Sequence, residues 1–393
     1  MTILCIATYF KGEAFLRECR RQGCTVLLLT AETHASAAWP HDAIAEMHTI
    51  ARGASDGDIR RVVASIARRH RIERVAALDD FDVEMGAMVR EFLQVPGFGR
   101  TVAARFRDKL AMRTTARRLG ILVPEFTGVF NDEEVGAWTS RVPPPWVLKP
   151  RSSAAATGIK TIAGRDALWP ALENPTDGRG AYLLEQFVKG DVYHVDSIVH
   201  HGEVVFSVAS RYGRPPMQIA HEGGIFITRR LPNDSAEAAR LLEANGRLLT
   251  GFGLVHGVSH SEFIGSDNGV VFLETSARVG GAYIVDVVEA ATGVNLWAEW
   301  AKVAIAGDDG RYEPPATRSD SAGLALCLAR QEEPDLSGYT DPDIVTRIRK
   351  PHHAGLIVRS PDPRRVETLL DDYAHRFSRD FLATMPAPER PVE

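Results

Sequence analysis

Residues 254–275 read as a single β-hairpin with one glutamate on each strand. The first run is Ser259-His260-Ser261-Glu262-Phe263-Ile264 and the second is Val270-Val271-Phe272-Leu273-Glu274-Thr275-Ser276. Gly265-Ser266-Asp267-Asn268-Gly269 lies between them as a tight turn. β-prone apolar residues on either side of each acid, separated by Gly and Asn, are a hairpin signature. The hairpin brings Glu262 and Glu274 onto neighbouring strands. Two carboxylates placed this way suit oxygen-preferring cations held against a phosphate chain. Arg278, four residues past Glu274, can lie over the same phosphates. The pattern points to ATP-driven chemistry.

The 393 residues suffice for two or three domains. With 45% hydrophobic and 25% charged residues, the composition is that of a globular protein. A net charge of −5 carries no basic stripe for nucleic acid. No apolar run reaches the roughly 18 residues that span a bilayer. The opening Thr2-Ile3-Leu4-Cys5-Ile6-Ala7 reads as a strand and not as a signal peptide. Cys5, Cys19, Cys24 and Cys327 form no Cys-x-x-Cys pair. They are expected to be buried thiols in a cytoplasmic protein.

Residues 1–95 alternate strand and helix, giving a small parallel α/β unit. Apolar runs at 3–7, 25–30 and 74–78 are the strands, and 13–22 and 58–70 have helical spacing. Gly-x-Gly-x-x-Gly is absent after the first strand, where the chain reads Ala7-Thr8-Tyr9-Phe10-Lys11-Gly12. A dinucleotide site is therefore not expected. Pro96-Gly97-Phe98-Gly99 marks a boundary. Helices are expected at 236–249, 283–291, 296–305 and 364–377, and strands at 146–149, 182–184, 324–328 and 355–358. Residues 191–230 read as antiparallel. Gly307-Asp308-Asp309-Gly310 reads as a linker, and 386–393 as a frayed end.

Further residues fall in order along the chain. Lys109 opens a helix, and Lys149 ends a strand before Ser152-Ser153-Ala154-Ala155-Ala156-Thr157-Gly158. Glu185-Gln186-Phe187-Val188-Lys189-Gly190-Asp191 follows another strand, and Glu262, Glu274 and Arg278 come last. This order resembles the ATP-grasp superfamily over residues 100–300. The likeness is to the branch of biotin carboxylase, carbamoyl-phosphate synthase and the amino-acid ligases.

The resemblance implies α/β and α+β multidomain architecture. A Rossmann-like parallel α/β domain (1–95) would precede an ATP-grasp fold (96–306) with a small lid at about 112–186. An α+β segment (307–393) would follow. It also implies that Lys109 and Lys149 grip phosphate, and that the loop with Ser153, Thr157 and Gly158 covers it. Val147 and Ile264 would pack on adenine, with Glu185, Gln186, Phe187 and Val188 at the purine edge. Val192 stands where the family commonly has a ribose-binding acid, so Asp191 or His194 is expected to substitute. Glu262, Glu274 and Ser276, the last where the family has Asn, would hold Mg²⁺, two ions in all.

The implied reaction joins a small carboxylate to an amine through an acyl phosphate, releasing ADP, with Arg278 as the catalytic cation. A carboxylase, a carboxylate kinase and a non-catalytic nucleotide-binding protein are the alternatives. After Arg278 the run Val279-Gly280-Gly281-Ala282 departs from the bicarbonate-binding run of biotin carboxylases. Homodimers are common in the superfamily.

Arg211, Arg214, His221, Glu222 and Arg229 are candidates for a substrate carboxylate clamp. Asp79 and Asp80 are candidates for an amino group. His256, His260 and Glu262 share strand parity and match an imidazole–imidazole–carboxylate zinc set. A strand face carrying supporting histidines is the other reading.

Overall fold

The computed structural model describes residues 1–153, 157–173, 178–267 and 269–383. Ala154-Ala155-Ala156 of the expected phosphate loop, Asn268 of the hairpin turn and the expected frayed end lie outside the described residues.

The chain begins with β1 (Thr2–Ala7), α1 (Glu13–Arg21), β2 (Thr25–Ala31), β3 (Glu46–Ile50), α2 (Asp56–Ala67), β4 (Arg74–Ala77) and α3 (Val83–Leu93). The strands form a parallel sheet in the order β3-β2-β1-β4. β1 is apolar at consecutive positions because both its faces are covered. Ile3, Cys5 and Ala7 join one apolar cluster with Phe15 and Leu16 of α1. Leu4 and Ile6 join another with Ile59 and Val63 of α2 and Met88 of α3. Helix α2 starts at a reciprocal cap. The Asp58 N–H donates to Ser55 Oγ at 3.2 Å, and the Ser55 N–H donates to Asp58 Oδ2 at 3.0 Å. All four cysteines are free and buried.

After the break at 96–99 come α4 (Arg100–Arg107) and α5 (Lys109–Arg118). A small module follows: β5 (Phe126–Gly128), α6 (Asp132–Arg141), β6 (Trp146–Pro150), β7 (Lys160–Ile162), α7 (Arg165–Glu173) and β8 (Tyr182–Gln186). Its antiparallel sheet runs β5-β8-β6-β7. One face packs on α6 and α7 through Trp138, Trp146, Leu148, Leu168 and Leu184. The other face keeps Lys149 and Glu185 for the site.

The rest forms one large sheet. Its elements are β9 (Asp191–His200), β10 (Glu203–Tyr212), α8 (Pro216–Glu222), β11 (Phe226–Arg230), α9 (Ala236–Phe252), β12 (Gly257–Ser266) and β13 (Gly269–Ser276). Then follow α10 (Ile284–Thr292), α11 (Leu296–Ala306), β14 (Ser321–Leu328), β15 (Ile344–Lys350), β16 (His353–Ser360) and α12 (Pro363–Asp380). The strand order is β13-β12-β9-β10-β11-β14-β16-β15. The strands after residue 307 thus continue the sheet that carries the acidic hairpin, through β11–β14 pairing. No helix among the described residues is long and apolar enough to cross a membrane.

Candidate active site

Asp108 caps α5 by accepting from the Leu110 N–H at 2.9 Å. This fixes Lys109 at the first turn and Arg113, four residues on, on the same helix face. Lys109 Nζ lies 3.2 Å from Glu274 Oε2 and donates to the Ser153 carbonyl at 2.6 Å. Arg113 is fully buried, with Nε 2.7 Å from Glu185 Oε1. Lys149 Nζ, from β6, lies 2.6 Å from Glu185 Oε2. One carboxylate is therefore shared by two buried cations. Nη1 and Nη2 of Arg113 have no hydrogen-bond partner among the described residues.

Burial pushes Lys149 down to about 8, and the attraction of Glu185 only partly offsets it. Burial alone would raise Glu274. The charges of Lys109 and Lys149 outweigh it and hold the carboxyl down to about 2. The Glu185 carboxyl is lowered in the same way, with Arg113 and Lys149 overcoming desolvation.

On the hairpin, Glu262 and Glu274 are register partners, with a bulge immediately after Glu262. The Tyr212 hydroxyl donates to Glu262 Oε1 at 2.8 Å. Behind Glu262 lies a buried chain of polar groups. His260 Nδ1 is 2.9 Å from Asp196 Oδ1, and His194 Nδ1 is 2.6 Å from Asp196 Oδ2. Burial disfavours a charged His260, yet the Asp196 carboxylate overrides it and pushes the ring up to about 9. Arg278 reaches this region as well. Its charge acts on both Tyr212 and His260, and Nη1 donates to the Val279 carbonyl at 2.7 Å.

Ile264 is buried in one apolar cluster with Val192, against which Val188 and Leu273 pack. Val147 pairs with Glu185 across the β6–β8 ladder, so it shares a face with Lys149. The Thr157 hydroxyl is buried without a partner among the described residues. Gly158 has φ +73°, a left-handed conformation that favours glycine. The Ser276 backbone pairs opposite His260 at the end of β13.

Several expected contacts have other partners. The Gln186 N–H donates to the Glu125 carbonyl at 2.8 Å and the Phe187 N–H to the Pro145 carbonyl at 3.0 Å. These two donors hold the end of β8 and are not offered to a purine. The Val188 N–H has no acceptor among the described residues. His194, expected near ribose, is 1% exposed, and Thr228 Oγ1 lies 2.6 Å from its Nε2. Both its ring nitrogens are committed, so it supports Glu262 through Asp196 instead. Asp191 is exposed and paired with Arg211 at 2.7 Å.

The candidate substrate groups other than His221 are also paired. Arg214 meets Glu222 at 2.6 Å and Arg229 meets Glu367 at 2.8 Å. Asp79 is bonded by Lys11 and Asp80 by Arg107. Arg107 in turn donates to the Ser152 carbonyl at 2.6 Å, tying the parallel α/β unit to the expected phosphate loop. The zinc set of His256, His260 and Glu262 does not assemble, because His256 precedes β12 and turns to His200.

Arg113, Arg107, Tyr212 and Asp196 were not marked by sequence reasoning. The i,i+4 spacing of Arg113 from Lys109 is the one signal that favours it. Nothing local announces the other three.

No family model matches the chain. An L-arginine-specific L-amino acid ligase from Bacillus subtilis is 23% identical over 245 residues, 60% of this chain and 58% of that protein. The chain therefore spans little more than half the length of this curated relative. The crystal structure of an L-amino acid ligase from Bacillus licheniformis superposes with a TM-score of 0.74 at 16% identity, covering 97% of this chain and 98% of that one. The biotin carboxylase domain of 2-oxoglutarate carboxylase from Hydrogenobacter thermophilus, solved as a dimer with MgADP, gives a TM-score of 0.69 at 16% identity. That match covers 98% and 90% of the two chains. The chain is thus similar in sequence to an L-amino acid ligase, and its fold is that of the ATP-grasp ligases.

Proposed function

We propose that the protein is an ADP-forming carboxylate–amine ligase that activates a small carboxylic acid, an amino acid in the first instance, as an acyl phosphate. The observation that carries this reading is the joining of Lys109, Arg113 and Lys149 to Glu185 and Glu274 in one buried network. A triphosphate carries close to four negative charges. Unit charges about 4 Å apart interact by roughly 4 kcal/mol at an effective dielectric near 20. A nucleotide site must therefore gather cations, and this one holds a buried guanidinium with two unspent nitrogens.

The donor set fits magnesium: two ionisable carboxylates stand opposite each other on adjoining strands. Glu262 and Glu274 would hold the ions, two in this reading, with the Ser276 hydroxyl beside them. Bound Mg²⁺ supplies charge neutralisation along the phosphates. The chain's own residues do the rest. Lys109, Lys149 and Arg113 bind phosphate, and Ser153, Thr157 and Gly158 close over it. Val147 and Ile264 flank the adenine. Glu185 fixes the two cations below it, the Val188 N–H meets the purine edge and Asp191 meets ribose.

No protein nucleophile is needed, because the substrate carboxylate attacks the γ-phosphorus. Arg278 faces the transferring phosphoryl group, and later the oxyanion formed when the amine attacks the acyl carbon. Catalysis is positioning plus charge neutralisation.

A matrix of amino-acid pairs, assayed with ATP and Mg²⁺ for phosphate release and product mass, tests this. Ligation requires an amine-dependent product. ADP formation that ignores the amine, with the phosphoryl group retained on the acid, would favour a carboxylate kinase. A bicarbonate-dependent product would favour a carboxylase. Tight ATP binding without turnover for any acceptor would make it a binding protein.

A further inference from the structure

A second group of imidazoles lies at the far end of β9 from the acidic hairpin. His194 is the register partner of Glu262. His200, six residues on, is about 20 Å further along the strand. His200 ends β9, and His201 forms the turn into β10 with φ +52°. The Gly202 N–H donates to the Val255 carbonyl at 2.9 Å, which holds this turn against the segment entering β12. His256 sits there, one residue before the strand. Two chain segments thus deliver three imidazoles to one point, with ring centroids 4.1–5.0 Å apart.

The nitrogens are placed for ligation. One ring nitrogen from each histidine falls within 4.8 Å of the others. His200 Nδ1 and His256 Nδ1 are 3.1 Å apart, and the main-chain N–H of His201 donates to the latter at 3.4 Å. Two imidazole nitrogens on one tetrahedral zinc stand about 3.3 Å apart, given Zn–N distances of about 2.0–2.1 Å. His256 Nε2 is 2.7 Å from Asp308 Oδ1. Donation of the Nε2 proton to this carboxylate leaves the Nδ1 lone pair facing His200, the usual carboxylate–histidine–metal arrangement. One proton between the two Nδ1 atoms makes their 3.1 Å contact a hydrogen bond, and a metal cation can take that proton's place.

We propose that His200, His201 and His256 bind one divalent transition-metal ion of the zinc type, with Asp308 orienting His256 and water completing the coordination. Imidazole donors select such an ion over magnesium, which prefers oxygen. The ion would tie the β9–β10 turn to the entry of β12 and, through Asp308, to the segment that leads to β14. It is separate from the magnesium site proposed above and does not depend on it.

The test uses untagged full-length protein, stripped with chelator and titrated with Zn²⁺ by calorimetry in buffer containing Mg²⁺. One equivalent should bind. His256→Ala should weaken binding at least 100-fold. Asp308→Asn, at an exposed side chain where folding is not in question, should weaken it about 10-fold. Zinc should raise the melting temperature of the parent protein and not that of His256→Ala. Co²⁺ should give the intense visible bands of tetrahedral coordination. Zinc binding equal in the parent and both variants, or absent from the parent, would overturn the site.

Discussion

Lys149 and Glu185 form a 2.6 Å ion pair in which the side chains are only 4% and 3% exposed. Because Arg113 leans on the same carboxylate, Glu185 is the sole anion directly between two buried cations. Glu185→Ala should destabilise the fold by about 3–5 kcal/mol, the usual cost of leaving a buried charge uncompensated. Denaturant unfolding measures this. A loss under about 1 kcal/mol would mean that solvent reaches the pair.

On the proposed reading, Lys149 would make nucleotide binding a proton-linked event. Its pKa in the free protein is about 8, so near pH 8 the side chain is about half protonated. The groups around it are Glu185, Arg113, Glu274 and Lys109. Added phosphate charge favours the ammonium form, so ATP should take up about half a proton at pH 8 and little at pH 6. Calorimetry in two buffers of different ionisation heat reads this directly. For stability the sign is opposite to that of a paired surface lysine. The folded pKa lies below the ordinary 10.5, so this group's contribution improves as pH rises from about 8 toward that value.

Arg278→Ala should bind ATP normally yet turn over about 10²–10³-fold more slowly, the usual cost of removing one transition-state donor. A coupled ADP-release assay beside a nucleotide-binding titration separates the two effects. Near-normal turnover would remove Arg278 from the reaction.

Glu274→Gln should raise the Mg²⁺ concentration needed for half-maximal turnover by at least tenfold and leave Lys109 without its ion-pair partner. Glu262→Gln should act the same way while keeping an acceptor for the Tyr212 hydroxyl. An unchanged magnesium requirement in both variants would argue against metal binding by the hairpin.

Gly280 is packed against the polar chain behind Glu262. A Cβ added there would stand 2.9 Å from Asp196 Oδ1 and 3.0 Å from His260 Nδ1. Gly280→Ala should cost about 1–3 kcal/mol through overpacking. It should also disturb the His260–Asp196 bond, which NMR of the imidazole would register as a lowered His260 pKa.

The hairpin was legible because its signals are local: alternation, flanking β-formers and a glycine-rich turn. The lysines were legible by order along the chain. Arg113 was not, since an arginine in an amphipathic helix looks solvent-facing until Glu185 arrives from another sheet. The strand β3 reads Glu-Met-His-Thr-Ile, too polar to announce itself, and β15 carries Arg347, Arg349 and Lys350 at a sheet edge. Edge strands often bear such charges, which mask the β pattern. The use of His194 as a buried support followed from strand register, which composition does not encode.

Because β14 is hydrogen-bonded directly to β11, residues beyond 320 are not an appendage to the half that carries the acidic hairpin. Cutting the chain before β14 would strip β11 of its neighbour and bare a row of main-chain amides and carbonyls next to Ile225 and Ile227, which face Leu356 and Tyr373 in the intact protein. Such a fragment should self-associate through that raw margin, so the hairpin-bearing half is best studied with its carboxy-terminal strands attached.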